Sequence, residues 1–560
     1  MTDLQISHSV QHRPISDVAS QLGIHSNELI PYGTNKAKIS LSLLDRLQGG
    51  RQGRYILVTA INPTPLGEGK TTTSIGLAMG LTRLGHRTAV TLRQPSLGPV
   101  FGIKGGGTGG GHAQVVPMED INLHLTGDAH AVAASHNLLS AFVDNHLFHG
   151  NALGLDPARV MWPRALGVSD RALREVLLGE GPNKRTGRFI ITEASEIMAA
   201  LALSVSPQDL RERLGRILVG LKVSGSPLLA RDFGCDGAMA VLLKDALLPN
   251  LVQTLEGTPA FVHTGPFGNI AHGNCSIVSD AIALRCADYV VTEAGFGSDL
   301  GAEKFFNIKC RVSGFKPSVA VVVATLRALK LHGGGGVAKV GAPLPVGLTG
   351  PNQEALSKGF ANLEQHIANV QAHGIPVVVA VNAFKDDSHT ELDWVRNRAL
   401  EVGAVGAAVS THWSDGGRGA EQLAAAVAKA SEQPSKFSYL YELDWPIRKK
   451  IETIATRMYG AADVRFEPEA DHQLELAESL GFGQLPVCMA KTPLSLSHDP
   501  AIKGRPTGFT VPINELRILA GAGFVIAVCS GIQLMPGLPK RPAGERIDLD
   551  PVSGEIVGLS

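Results

Sequence analysis

The stretch that most restricts what this chain can become runs from Arg54 to Leu92. An apolar run, Tyr55-Ile56-Leu57-Val58-Thr59-Ala60-Ile61, leads into TPLGEGKTTT and then into Ser74 to Leu84. A run this short and this rich in β-branched side chains reads as a strand buried on both faces, and such strands belong to parallel sheets covered by helices. Residues 64 to 71 keep the spacing G-x-x-x-x-G-K-[ST], except that Thr64 stands where the first glycine belongs. Gly67 and Gly69 let consecutive backbone N–H groups turn inward on an anion, and the next helix presents its positive end to the same point. Thr64, Pro65, Leu66, Gly67, Glu68, Gly69, Lys70 and Thr71 are therefore the expected nucleotide-binding residues, with Lys70 reaching the outer phosphates and the Thr71 hydroxyl on a magnesium ion. Ile75, Leu77, Ala78, Met79, Leu81 and Leu84 cover most sides of the helix, which predicts deep burial, and Arg87 to Leu92 reads as a second strand. A glycine-rich turn with an exposed lysine is the plain alternative.

The second strand ends in TLRQPSLGPVFGIKGGGTGGGHAQVVPMEDINLHLTGD, residues 91 to 128. Arg93 falls at a carboxyl strand end, the edge where open α/β sheets bind ligands, so it points to the same opening as Lys70. Gly105, Gly106, Gly107, Gly109, Gly110 and Gly111 read as loop, and ordering a loop of this composition costs enough entropy to suggest a functional one. Asp128 precedes a helix expected over 129 to 145 and is either its cap or part of the site. His130 and His136 are six residues apart and face different sides of that helix, which argues against a metal pair.

From 151 to about 248 charged helices replace this pattern, then strand signals return at 260–263, 289–292 and 319–325, each followed by glycine-rich turns. Thr292 to Asp299 stands where a phosphate-loop enzyme keeps its acidic magnesium group, and the residues leave Glu293 and Asp299 as alternatives. Val323 to Gly336, with Arg327, Lys330 and His332, reads as a second cationic loop. Strands at 376–382 and 404–409 are each followed by one large aromatic, Phe384 and Trp413, placed to clamp a flat heterocycle if the strands are parallel neighbours. Core packing is the commoner fate of such rings.

At 560 residues the chain suggests several α/β units: a nucleotide-binding domain in two parts (1–150 and 250–370), a smaller insertion (151–249), and a C-terminal α/β domain (371–560). Lys+Arg and Asp+Glu balance at 51 each, so no field draws the chain to nucleic acid or to an anionic membrane. The uncharged stretch 518–539 is broken by Gly521, Gly523, Gly531 and Pro536, which argues against a membrane span. Six scattered cysteines without a C-x-x-C pair, and an amino terminus without signal-peptide order, point to reduced thiols in the cytoplasm.

TPLGEGKTTT, the 91–128 segment, PAFVHTGPFGNIAHGN, TEAGFGSDLGAEKFFNIKCR and VATLRALKLHGGGG, taken in that order, resemble formate-tetrahydrofolate ligases over essentially the whole chain. The glycine segment departs from the family's usual GGAAGGGY: here it reads GGGTGGGH, with His112 in place of tyrosine, and position 326 is Leu where Val or Ile is common. The resemblance implies that ATP, formate and tetrahydrofolate give 10-formyltetrahydrofolate, ADP and phosphate through formyl phosphate. It further implies that Lys70 and Arg93 act on phosphate, that Gly105 and Gly106 lie at the intermediate, and that Phe384 and Trp413 stack on the pterin. Asp128 becomes a candidate for orienting groups or handling protons near the amine. A homotetramer and a monovalent cation, potassium or ammonium, are implied as well. Two other readings stay open on the residues alone: a ligase activating a larger carboxylate, and a nucleotide-switched regulatory ATPase.

Overall fold

The computed structural model describes every residue except Arg51, Leu66, 339–342, Ser530 and Ser560, with the side chains of Lys104 and Pro182 also left aside. Leu66, one of the expected nucleotide-binding residues, thus lies outside the described residues. The centre is a 12-stranded sheet. Across it the strands run Leu29–Pro31, Ala37–Ile39, Asn250–Thr254, Pro259–Val262, Thr88–Leu92, Tyr289–Glu293, Arg54–Ala60, Val319–Ala324, Val377–Asn382 and Gly406–Ser410, with a small hairpin attached to the Asn250–Thr254 strand. From Pro259–Val262 onward every neighbouring pair is parallel, as the β-branched runs require.

Alternation on the Arg54–Ala60 strand divides the core in two. Tyr55, Leu57 and Ile61 pack into one apolar cluster, while Ile56, Val58 and Ala60 pack into the other with Ile75, Leu77, Met79 and Leu81 of the helix Lys70–Arg83. Both faces are dry, so this strand has no freedom to slip register. The helix can sit this close to its neighbours because of two glycines. A Cβ on Gly76 would stand 2.5 Å from His412 Cβ, and one on Gly80 3.0 Å from the Ala420 carbonyl.

Two further cores flank the sheet. One joins the helix Asp128–Phe148 to the segment 155–247 through Val132, Leu139, Leu147, Leu210 and Leu214. The other belongs to the C-terminal segment, where Glu515–Leu519, Phe524–Val528 and Val487–Ala490 form a three-stranded sheet over Ile447, Ile451 and Met458. The cut drawn at residue 370 falls inside the main sheet, because Val377–Asn382 and Gly406–Ser410 extend it; the separate C-terminal core begins only after them. Among the described residues no helix is long and apolar enough to cross a membrane. The six cysteines are free and buried.

Two local readings are corrected. Gly109–Gly110 pairs with Ala113–Val116 as a hairpin, so the second half of the glycine run is strand, held by backbone bonds that need no side chain. Leu326–His332 is a helix, and its Lys330 and His332 are engaged inside the protein. Lys330 donates to Glu391 at 2.8 Å, and His332 bridges the Asn62 carbonyl and the Gly504 amide. Only Arg327 is left, lying over the Phe384 ring at 4.0 Å.

Candidate active site

Parallel strands bring their carboxyl ends to one edge, and in this sheet that edge collects the glycine turn, Arg93, Thr264, Glu293, Arg327, Phe384 and Trp413. Gly67 and Gly69 adopt φ of +81° and +72°, the left-handed region that lets the backbone curl before the helix begins at Lys70. Glu68 is not free to meet a ligand. Its buried carboxylate accepts from the Thr64 amide and the Thr325 hydroxyl, each at 2.6 Å, and burial raises its pKa. Asn382 braces the turn by donating to the Glu68 carbonyl at 3.2 Å. Pro65 completes the same turn beside Thr64.

Glu293 links the two halves of the edge. The Thr71 hydroxyl donates to Glu293 Oε2 at 2.8 Å, and Arg93 Nη2 lies 3.7 Å from Glu293 Oε1. The residue after Lys70 and the arginine of the next strand therefore share one carboxylate. Asp299, the other acidic candidate, is fully buried and paired with Lys491 at 2.7 Å, and it also accepts from Asn62. Its charge is already answered by Lys491 in the interior. Arg93 Nη1 donates to the Pro266 carbonyl at 3.2 Å, while its buried Nε has no partner among the described residues.

Asp128 is the first residue of its helix and does not cap it; Gly127 occupies the cap position. Its carboxylate is buried and accepts from Lys38 at 2.8 and 3.0 Å and from Asn250 at 2.8 Å. Lys38 was invisible to motif reading, since a lone lysine in a short amino-terminal strand carries no periodic signal. His136 has both ring nitrogens satisfied, by Ser195 and the Pro163 carbonyl, and burial pushes its pKa down to about 3. It is a core histidine.

The two aromatics are not core residues: Trp413 is 53% exposed and Phe384 36%. Trp413 lies against the glycine hairpin, whose tightness it explains. A Cβ on Gly111 would come 2.2 Å from the Trp413 carbonyl and 2.8 Å from its ring, and the His112 amide donates to that carbonyl at 2.8 Å. Gly105 closes a helical turn over Val100–Lys104 with φ +76°, Gly106 follows it half-buried, and the Gly107 amide is tied to Asn122 at 2.8 Å.

The site so built has an anion-binding turn, an arginine with unspent donor capacity, a carboxylate beside a helix-start hydroxyl, and two open aromatic faces. The family model described as formate–tetrahydrofolate ligase matches residues 1–560. The chain is 55% identical to a formate–tetrahydrofolate ligase of Saccharopolyspora erythraea over 100% of its own length and 99% of that protein. It is 54% identical to the one of Roseiflexus sp. (strain RS-1), with 100% of both chains covered, and 51% identical to that of Desulforamulus reducens, covering 100% and 99%. With the whole length matched at this identity, the chain belongs to the formate–tetrahydrofolate ligase family.

Proposed function

We propose that this chain joins formate to tetrahydrofolate at the expense of ATP, giving 10-formyltetrahydrofolate, ADP and phosphate. The observation that carries the mechanism is the shared Glu293: it ties the Thr71 hydroxyl, next to Lys70, to the Arg93 guanidinium. A carboxylate is a poor acyl donor, because its charge repels nucleophiles and oxide does not leave. Phosphorylation removes both obstacles. Formate oxygen attacks the γ-phosphorus, whose developing charge meets the amides of the 67–70 turn and the Lys70 ammonium. Thr71 and Glu293 are the residues that would hold the magnesium travelling with ATP, an ion that supplies further charge neutralisation.

Formyl phosphate then rests against Arg93, whose planar fork suits phosphate oxygens and whose Nε is still unpaired. Phe384 and Trp413 hold the pterin, the N10 amine attacks the formyl carbon, and phosphate leaves. Arg327, stacked on Phe384, stiffens that ring. Lys38 and Asn250 fix Asp128, which orients groups at the amine side. The same reading includes a homotetramer in the cytoplasm and a monovalent cation, potassium or ammonium.

Product absorbance in reactions from which ATP, formate or tetrahydrofolate is omitted in turn tests this. All three are required on this account, larger carboxylic acids are not used, and Lys70→Ala abolishes the reaction with the fold intact. Turnover without formate, or unchanged turnover in Lys70→Ala, contradicts it.

A further inference from the structure

Around Arg93 the fold leaves buried polar atoms unpaired. Arg93 Nε, Ser96 Oγ, Glu193 Oε2, Thr264 Oγ1, Asn274 Oδ1 and both ring nitrogens of His272 have no hydrogen-bond partner among the described residues. An isolated buried polar atom without a partner is costly, and a cluster of them beside one arginine points to groups held in readiness for a polar ligand. One short loop holds the cluster together. The Gln94 amide donates to the Thr264 carbonyl at 2.6 Å, Arg93 to the Pro266 carbonyl at 3.2 Å, and the Phe267 amide to the Glu193 carbonyl at 3.2 Å. A Cβ on Gly265 would lie 2.9 Å from the Gln94 carbonyl and 3.7 Å from Glu193 Cγ. Thr264, β-branched, is held at φ +55°, a strained conformation that the loop imposes at the strand end.

Transfer of the formyl group needs a proton acceptor. When N10 forms its bond to the formyl carbon, the carbon–oxygen bond to phosphate breaks with its electron pair passing to the phosphate oxygen, and the N10 proton must go elsewhere. Both oxygens of Asp128 are engaged by Lys38 and Asn250. Resting on the formyl phosphate reading above, we propose that Glu193 stands beside the intermediate held by Arg93 and takes the N10 proton on its unpaired Oε2. Burial raises the Glu193 pKa to about 7, so at neutral pH the group is poised between base and acid. Of the groups on the packed elements, Arg93 is paired with Glu293, and His272 is held neutral by burial. In the helix that follows, Glu196–Leu203, Glu196 is tied to the Gly521 and Ala522 amides.

The test separates the half-reactions. Formyl phosphate made from ATP and formate without folate is trapped by hydroxylamine as formyl hydroxamate, and folate product is followed by absorbance. Glu193→Gln is expected to keep hydroxamate formation within about twofold and to lose roughly 10²- to 10⁴-fold in folate product. In the unaltered enzyme kcat/KM for tetrahydrofolate should fall on the acid side with a midpoint near the Glu193 value, about 7, and Glu193→Asp should retain such a limb at reduced rate. Equal loss of both half-reactions in Glu193→Gln, or no acid limb in the unaltered enzyme, overturns the assignment alone. Absence of any hydroxamate from the unaltered enzyme overturns the formyl phosphate reading itself.

Discussion

Glu293 stands between Thr71 and Arg93, and its removal should be felt on both sides. Glu293→Gln keeps the shape but lowers the charge: kcat is expected to drop by about 10²-fold or more, with circular dichroism unchanged. Activity within twofold of the parent would show that the carboxylate is structural. Gly111→Ala is a sharper probe of the aromatic clamp, because the added methyl meets the Trp413 carbonyl at 2.2 Å and the residue sits at φ +56°. Its KM for tetrahydrofolate should rise at least tenfold while KM for ATP stays put. Lys70 and Arg93 could be singled out in the sequence because each follows a recognisable strand, whereas the folate role expected of Phe384 and Trp413 came from the family resemblance. The sequence left Glu293 and Asp299 equal, since only a partner distinguishes them, and Lys491 lies almost two hundred residues further on. Glu193 and Lys38 gave no signal for the same reason: their roles come from burial and from neighbours remote in the chain.

At the scale of elements, strand order decides the site. Alternating strands and helices announced a parallel sheet, and the observed order brings the seven-residue strand Arg54–Ala60 between Tyr289–Glu293 and Val319–Ala324. Helix boundaries were readable to within a few residues. The helix expected over 129 to 145 runs as Asp128–Phe148. The segment after Val319–Ala324 is a helix capped by Thr325, and Lys330 can be buried in it because it finds Glu391. Close packing of the phosphate-loop helix on the His412–Asp415 turn rests on Gly76. Gly76→Ala should therefore cost about 1–3 kcal/mol by overpacking and loosen folate binding through Trp413, measurable as a lowered Tm together with a raised KM for tetrahydrofolate. A Tm equal to the parent's would mean that the turn yields without strain.

At the scale of the whole molecule, a buried ion pair joins the C-terminal segment to the sheet. Lys491 of the C-terminal segment pairs with Asp299 of the sheet, both fully buried. Lys491→Ala strands that carboxylate and should destabilise by roughly 3–5 kcal/mol in denaturant titration. Histidines add a pH dependence. His263, His332, His366, His373 and His412 are pushed down to about 4 and His136 to about 3, each mainly by burial. Their folded pKa values lie below the unfolded value of about 6.5, so their contribution is present above that pH and lost as pH falls toward 4. Glu193 and Glu303 at about 7 and Glu196 at about 8 work the other way over part of this range, through desolvation. With His272 also lowered and Glu68 also raised, the shifted histidines still outnumber the glutamates, so the denaturation midpoint should fall between pH 6.5 and 5; a flat or rising profile would contradict these burials. The central claim, that one carboxyl-end cavity makes formate reactive by phosphorylating it, is tested most directly by turnover with ¹⁸O-labelled formate, ATP and tetrahydrofolate, followed by mass analysis of the phosphate. The account predicts one formate-derived ¹⁸O in each phosphate released, since formate oxygen attacks phosphorus and the carbon–oxygen bond then breaks. Phosphate free of label would contradict it.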